Sequence, residues 1–330
     1  MEKEIIDYND LGANFQKVKK ERIEYIDLGA GILMIWVMIF HALSNTRVFG
    51  DLDPRVAIPY LTFSMPWFFY KSGQFFNPDR GMEGIKHDAK KLLLPFLIWG
   101  TLGYAVQILI LVIQDNLTYE AAIADVFHRF YIYGYLLINV PLWFVLSLFA
   151  VKAISQGLLK LHVHPIIWMV LGIAIGYLHF QVNGDGDPVL PVYLANVPLG
   201  ISFFMMGYAW SKYETNKWLM RVSFIVYVAM LIIEYPVIGL HRNVLLAGPY
   251  LVWPVVSFFA IVAFNNVCRR INFCKPLNYA GRHAITLLVT HAFIYMTWAK
   301  LSPFTPLTTF ICIVICYALL LPIVTRVLKH

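Results

Sequence analysis

Charge is scarce in this chain. Asp, Glu, Lys and Arg make up 14% of its 330 residues, where a soluble domain carries about 25%. That shortage excludes a water-exposed surface around most of the molecule. Cysteine is scarce too, at four residues. Cys268 and Cys274 fall in an expected cytoplasmic loop, and Cys312 and Cys316 lie one helical turn apart. Neither spacing is that of a zinc site or a disulfide framework, so all four read as free structural thiols. His162 and His164 flank one residue beside Pro165, which is too few ligands for a metal site. No Walker loop, dinucleotide fingerprint, internal repeat or low-complexity tract is present. No cleavable signal peptide is expected either. Residues 1–24 are polar and mixed in charge, so the first apolar block reads as a retained span.

Apolar residues are abundant. They form 59% of the chain, and the mean hydropathy is +0.66. They run in blocks approaching ~20 residues, the length that crosses ~30 Å of hydrocarbon as a helix. The expected fold is an all-α polytopic membrane protein of about ten transmembrane helices. The spans fall near 27–45, 56–76, 92–113, 136–156, 164–181, 190–210, 221–240, 245–265, 283–299 and 304–326. Residues 1–24 would be a cytoplasmic tail, and 25–330 a single membrane domain. The amphipathic, aromatic stretch 114–135 reads as an outer interfacial helix or re-entrant piece.

The net charge of +7 would suit nucleic acid, but the basic residues sit in short loops between apolar blocks, which excludes that class. With both termini cytoplasmic, 20 of the 26 Lys and Arg residues lie inside and five outside; Lys71 lies within the second span. That asymmetry is the positive-inside pattern.

Ionisable residues inside spans are costly, so each is a site hypothesis. His41 lies about 14 residues into the first span, ~20 Å from its inner end, and Glu234 enters the seventh span to a similar depth. A carboxylate beside an imidazole would orient it and raise its basicity, as a general base requires. Separate structural roles near the outer interface are the alternative. His291 lies in the ninth span among Thr286, Thr290 and Thr297, either as a site residue or in a helix-packing hydrogen bond. Lys71 is expected to snorkel to the inner interface. Arg80, Lys86, Lys90 and Lys91, and later Arg269, Arg270, Lys275 and Arg282, suit a polyanionic cytoplasmic ligand such as the phosphates of coenzyme A. Topology alone also predicts such clusters.

Six short motifs in order resemble one family. They are Tyr25-Ile26-Asp27-Leu28-Gly29-Ala30-Gly31-Ile32 running on to His41, Ser72-Gly73-Gln74-Phe75-Phe76, and Lys90-Lys91-Leu92-Leu93-Leu94-Pro95. Then come Pro141-Leu142-Trp143-Phe144-Val145-Leu146, Phe203-Phe204-Met205-Met206-Gly207-Tyr208, and Gly281-Arg282-His283-Ala284-Ile285-Thr286 with His291. From about residue 22 to 325 the chain is similar to integral-membrane acyltransferase family 3, which includes bacterial O-acetyltransferases of surface glycans. The resemblance implies ten spans in the inner (plasma) membrane, acyl-CoA (acetyl-CoA) as donor on the cytoplasmic side, and no metal. The acceptor would be a hydroxyl of a cell-surface or lipid-linked saccharide. It implies that His41 is the catalytic base or a transient acyl carrier, with His291 as the late histidine. Glu234 would orient His41, and Trp143 would contact the acceptor. Lys71, Arg80, Lys86, Lys90, Lys91 and Arg282 would hold the donor. The chain departs from the family at Ala30, where a basic residue is usual, and at Asp88 and Ala284. Lys71 is the candidate to replace the missing cation in space. A non-catalytic or transport member of the same fold, exporting a modified glycan, is the alternative function.

Overall fold

The first helix, α1, runs Glu24–Thr46. Glu24 and Asp27 in its first turn favour the positive end of the helix dipole. It ends where Arg47 turns left-handed, at φ 53°, and its N–H reaches the Ser44 carbonyl. The computed structural model describes residues 23–113, 139–183, 191–233, 235–240, 242–301 and 305–327, with isolated positions 118, 124 and 128. The stretch 114–135, expected to be interfacial, therefore lies almost wholly outside the described residues.

The second apolar segment is not one continuous helix. It breaks into a short helix α2 (Pro54–Ala57), a 3-10 turn (Pro59–Leu61) and α3 (Ser64–Gln74). The expectation of one helix over 56–76 is corrected here, and Pro59 supplies the reason. A proline disfavours helical backbone in the residue before it, and Ile58 sits at φ −132°, ψ 78°. The 11 residues of α3 rise only ~16 Å, about half a bilayer core.

Helices α4 (Gly81–Ile113), α5 (Leu142–Lys160), α6 (Pro165–Asn183), α7 (Val192–Ala195), α8 (Val197–Trp210) and α9 (Lys217–Ile233) follow. The seventh span was expected to reach residue 240 and the eighth to begin at 245. Instead, β1 (Val237–Gly239) and β2 (Val244–Ala247) form an antiparallel hairpin with Ile238 opposite Leu245. Pro236 and Pro249 flank the hairpin, and neither can donate to a continuing helix. Asn243 and Gly248 supply the left-handed turns, at φ 53° and 68°. Asn243 anchors the hairpin to α6: its Nδ2 donates to the Gly176 carbonyl at 2.8 Å, and Tyr250 OH donates to its Oδ1 at 2.5 Å.

The chain closes with α10 (Val252–Ile271), α11 (Lys275–Arg282), α12 (Ala284–Leu301) and α13 (Pro306–Val327). Each of the ten apolar segments contains at least one helix. Among the described residues, α1, α5, α6 and α10 are long and apolar enough to cross a membrane. Their burial separates core from rim: 56% of the most apolar stretch of α1 is covered inside the bundle, against 11% of that of α6. Accordingly α1 packs against α10, α11 and α12, while α8 is wedged among α3, α5 and α6.

Candidate active site

A cavity of about 260 Å³ opens at the His41 end of the bundle. Its first wall is one face of α1, since Trp36, Val37, Phe40, His41 and Ser44 recur at helical spacing. The broken second segment supplies Asp53, Arg55, Thr62 and Ser64. Irregular backbone at membrane depth is tolerated where it lines a cavity, and this segment does so. Trp143 and Phe144 enter from the start of α5, and Ile238 and Leu240 from the hairpin. The chain before α5 is tied to α12 by Asn139, whose Nδ2 donates to the Val289 carbonyl at 2.6 Å.

His41 stands 17 positions past the start of α1 and five before its end, so it lies near one end of the bundle. His291, from α12, stands behind it. The two imidazole centroids are 5.5 Å apart, with planes tilted by 48°. His291 is fully buried, whereas His41 is half-buried on the cavity wall. His291 Nδ1 lies 2.8 Å from the Leu287 carbonyl oxygen. A carbonyl only accepts, so Nδ1 carries a proton, and in the neutral imidazole Nε2 then presents its lone pair. Phe40 packs on His41 with centroids 4.7 Å apart, and the Arg55 guanidinium lies 5.0 Å from the Phe40 centroid. A guanidinium, a phenyl and two mutually tilted imidazoles therefore lie in series. Glu234, expected beside His41, lies outside the described residues.

The opposite end of the bundle holds a buried charge cluster. Lys71 does not snorkel. It is 6% exposed and its Nζ lies 3.7 Å from Glu214, which is fully buried. A snorkelling lysine needs a path to water, and here the rings of Tyr25, Trp67 and Tyr70 lie around the ammonium, each within 6 Å of it. Glu214 also pairs with Arg269, and Asn265 Nδ2 donates to its Oε1 at 3.1 Å. Asn265 Oδ1 in turn accepts from Trp67 Nε1 at 2.8 Å. Glu214 and Asn265 did not emerge from the sequence. Glu214 sits in a short polar loop, where a carboxylate attracts no notice. The usable signal was Lys71 itself, because a cation inside a span implies a nearby counter-charge.

The remaining basic residues divide. Arg80, Lys86, Lys90 and Lys91 are exposed at and just before the first turns of α4. Arg282 is paired, with Nε 3.1 Å from Asp27 and Nη2 4.0 Å from Glu24. Asp88 takes Lys152 at 2.6 Å, which joins α4 to α5.

Several motif residues do mechanical work. A Cβ on Gly73 would overlap the Phe204 carbonyl, and one on Gly207 would overlap that of Tyr70. The Ser-Gly-Gln-Phe-Phe and Phe-Phe-Met-Met-Gly-Tyr elements are thus the two halves of one close helix crossing. Gly31 and Gly281 meet the carbonyls of Leu277 and Asp27 in the same reciprocal way.

These features define a helical membrane protein with an imidazole-bearing cavity at one end and basic residues at the other. The family model described as an acyltransferase domain matches residues 23–327. The chain belongs to this family, acyltransferase family 3, and is in general terms a membrane acyltransferase. No curated protein and no solved structure gives a match.

Proposed function

We propose that this protein is an O-acyltransferase of the inner membrane, moving a short acyl group, acetyl in the simplest case, from acyl-CoA to a hydroxyl of a cell-surface or lipid-linked saccharide. One observation carries the reading: His41 lines a partly polar cavity and is backed by a buried histidine of fixed tautomer. A ring nitrogen of His41 takes the proton of the acceptor hydroxyl. The oxygen attacks the thioester carbonyl, the new C–O bond forms, the C–S bond breaks, and the thiolate of coenzyme A leaves with a proton. His291 orients His41 from behind.

In this scheme the chain crosses the membrane ten times with both termini in the cytoplasm, as the 20-to-5 distribution of loop charge supports. Arg80, Lys86, Lys90 and Lys91 then face the compartment that contains acyl-CoA, and they are the exposed cations suited to its phosphates. Lys71 and Arg282 are engaged with carboxylates and serve the fold around that end. The cavity, at about 260 Å³, is just below the ~300–1,000 Å³ usual for small-molecule sites. That size favours a short acyl group beside one sugar ring over a long chain.

The test is release of free CoA from acetyl-CoA by the purified protein in lipid nanodiscs, with glycan acceptors present. His41→Ala is expected to lose about 10²–10⁴-fold in turnover. Equal turnover in wild type and variant would remove His41 from the chemistry.

A further inference from the structure

The cavity contains a pair that proton transfer at His41 leaves unused. Arg55 Nε donates to Asp53 Oδ1 at 3.0 Å, and Nη2 donates to Oδ2 at 2.7 Å. Asp53 also caps α2, its Oδ1 accepting the Arg55 backbone N–H at 2.8 Å. The carboxylate is thus fixed by the backbone as well as by its partner. The guanidinium lies over Phe40 on one side. On another it meets Gly239 of β1, where an added Cβ would stand 3.4 Å from Nη1. Three chain segments hold one planar donor group at the cavity wall. Both side chains remain open to the cavity, at 20% and 28% exposure.

The charge balance selects among acceptors. Among the described residues lining this cavity, Arg55 is the only Lys or Arg and Asp53 the only carboxylate. An anionic acceptor would therefore find its one cation already neutralised, and would meet a carboxylate beside it. A neutral polyol gains from both partners. The guanidinium only donates and the carboxylate only accepts, while each hydroxyl of a diol does both. Trp36 and Trp143, also on the wall, offer apolar faces suited to the C–H surface of a sugar ring.

We propose that the Asp53–Arg55 pair is the acceptor-recognition subsite: it binds a vicinal diol of an uncharged sugar ring and so determines which hydroxyl faces His41. The acceptor role rests on the acyl-transfer reading above; the binding itself is measured without it.

The experiment uses the full chain in nanodiscs with no acyl donor. The probes are methyl hexopyranosides, their monodeoxy derivatives and the matching methyl hexuronosides, and binding is read by titration calorimetry. At least one neutral hexoside is expected to bind wild type, with its hexuronoside weaker by about 10-fold or more. Removing either hydroxyl of the recognised pair is expected to weaken binding about 10-fold, and Arg55→Gln and Asp53→Asn by about 10- to 100-fold. Arg55→Lys keeps the charge but loses the two-pronged donor, and is expected to bind weakly as well. The deoxy-sugar arm uses wild type alone, so it decides even if a variant does not fold. Absence of hexoside binding, tighter hexuronoside binding, or indifference to every deoxy position each overturns the proposal. Hexoside binding with this pattern, but no acyl-CoA turnover with any acceptor, supports the diol subsite and overturns the acyl-transfer reading instead.

Discussion

His41 and His291 face each other at 5.5 Å between ring centroids, one on the cavity wall and the other fully buried. The buried ring donates a hydrogen bond from Nδ1–H to the Leu287 carbonyl, so the two ring nitrogens of His291 have separable jobs. Asn in its place keeps a donor near Nδ1, whereas Gln keeps a polar atom near Nε2. If Nε2 is what orients His41, His291→Gln retains most turnover and His291→Asn loses about 10²-fold. Thermal stability is expected to rank the other way. His291→Gln loses the side-chain hydrogen bond to the Leu287 carbonyl, which keeps its helical backbone partner, at about 0.5–1.5 kcal/mol. Turnover and melting temperature measured on both variants check this crossing of effects. Parallel loss of both properties would reduce His291 to a packing residue.

Glu214 is fully buried between two cations. Removing its charge strands Lys71 and Arg269, while removing the Lys71 charge leaves Glu214 still paired. Breaking a buried ion pair by deleting one partner costs about 3–5 kcal/mol. Glu214→Gln is therefore expected to melt far below Lys71→Met, and Lys71→Met should partly rescue it. A double-mutant cycle on melting temperature in detergent checks the order. Equal losses from the two single changes would contradict the shared-anion arrangement.

Much of this architecture was legible because hydrocarbon imposes a length and a polarity that any sequence must display. The apolar segments, the histidines His41 and His291 and the clustered cations of α4 were all readable. What escaped was set by tertiary context. Pro59 and Pro236 do not by themselves announce a break, since membrane helices can contain proline, as α4 does at Pro95. Whether the chain bends into a cavity wall depends on neighbours from α5 and the hairpin. Asp53 and Arg55 lie in a loop in sequence and at the cavity only in space. Glu214 was hidden for the same reason, its importance residing in Lys71 and Arg269 from two other helices. The family motifs were visible as strings, but their pairing through Gly73 and Gly207 was not.

That pairing gives a controlled prediction. Gly207→Ala places a methyl group into the Tyr70 carbonyl, so α3 and α8 must separate. Overpacking of this kind costs about 1–3 kcal/mol or more. Gly157 in α5 is the comparison, because a Cβ there meets nothing within 4 Å. Gly157→Ala is expected to be neutral or to stabilise by up to ~1 kcal/mol through helix propensity alone. Melting temperatures of the two variants, made in parallel, separate a crossing glycine from an ordinary one.

For the exposed cations of α4, salt is the discriminating variable. Lys86, Lys90 and Lys91 are all open to solvent, and Lys86 and Lys90 are one helical turn apart, on the same face. If they hold the phosphates of the donor, their contribution is electrostatic and weakens as the Debye length shrinks from ~10 Å at 0.1 M salt to ~3 Å at 1 M. The combined change Lys86→Gln, Lys90→Gln and Lys91→Gln is then expected to raise the acyl-CoA KM about 10-fold at low salt, with kcat little changed. At 1 M salt the wild-type KM should rise toward that of the variant. The fold itself should tolerate the change, since single exposed charges contribute about 0–1 kcal/mol each. KM measured across a salt series for both proteins checks it. A wild-type KM that ignores salt, or a variant that matches wild type at low salt, would assign these lysines to topology alone.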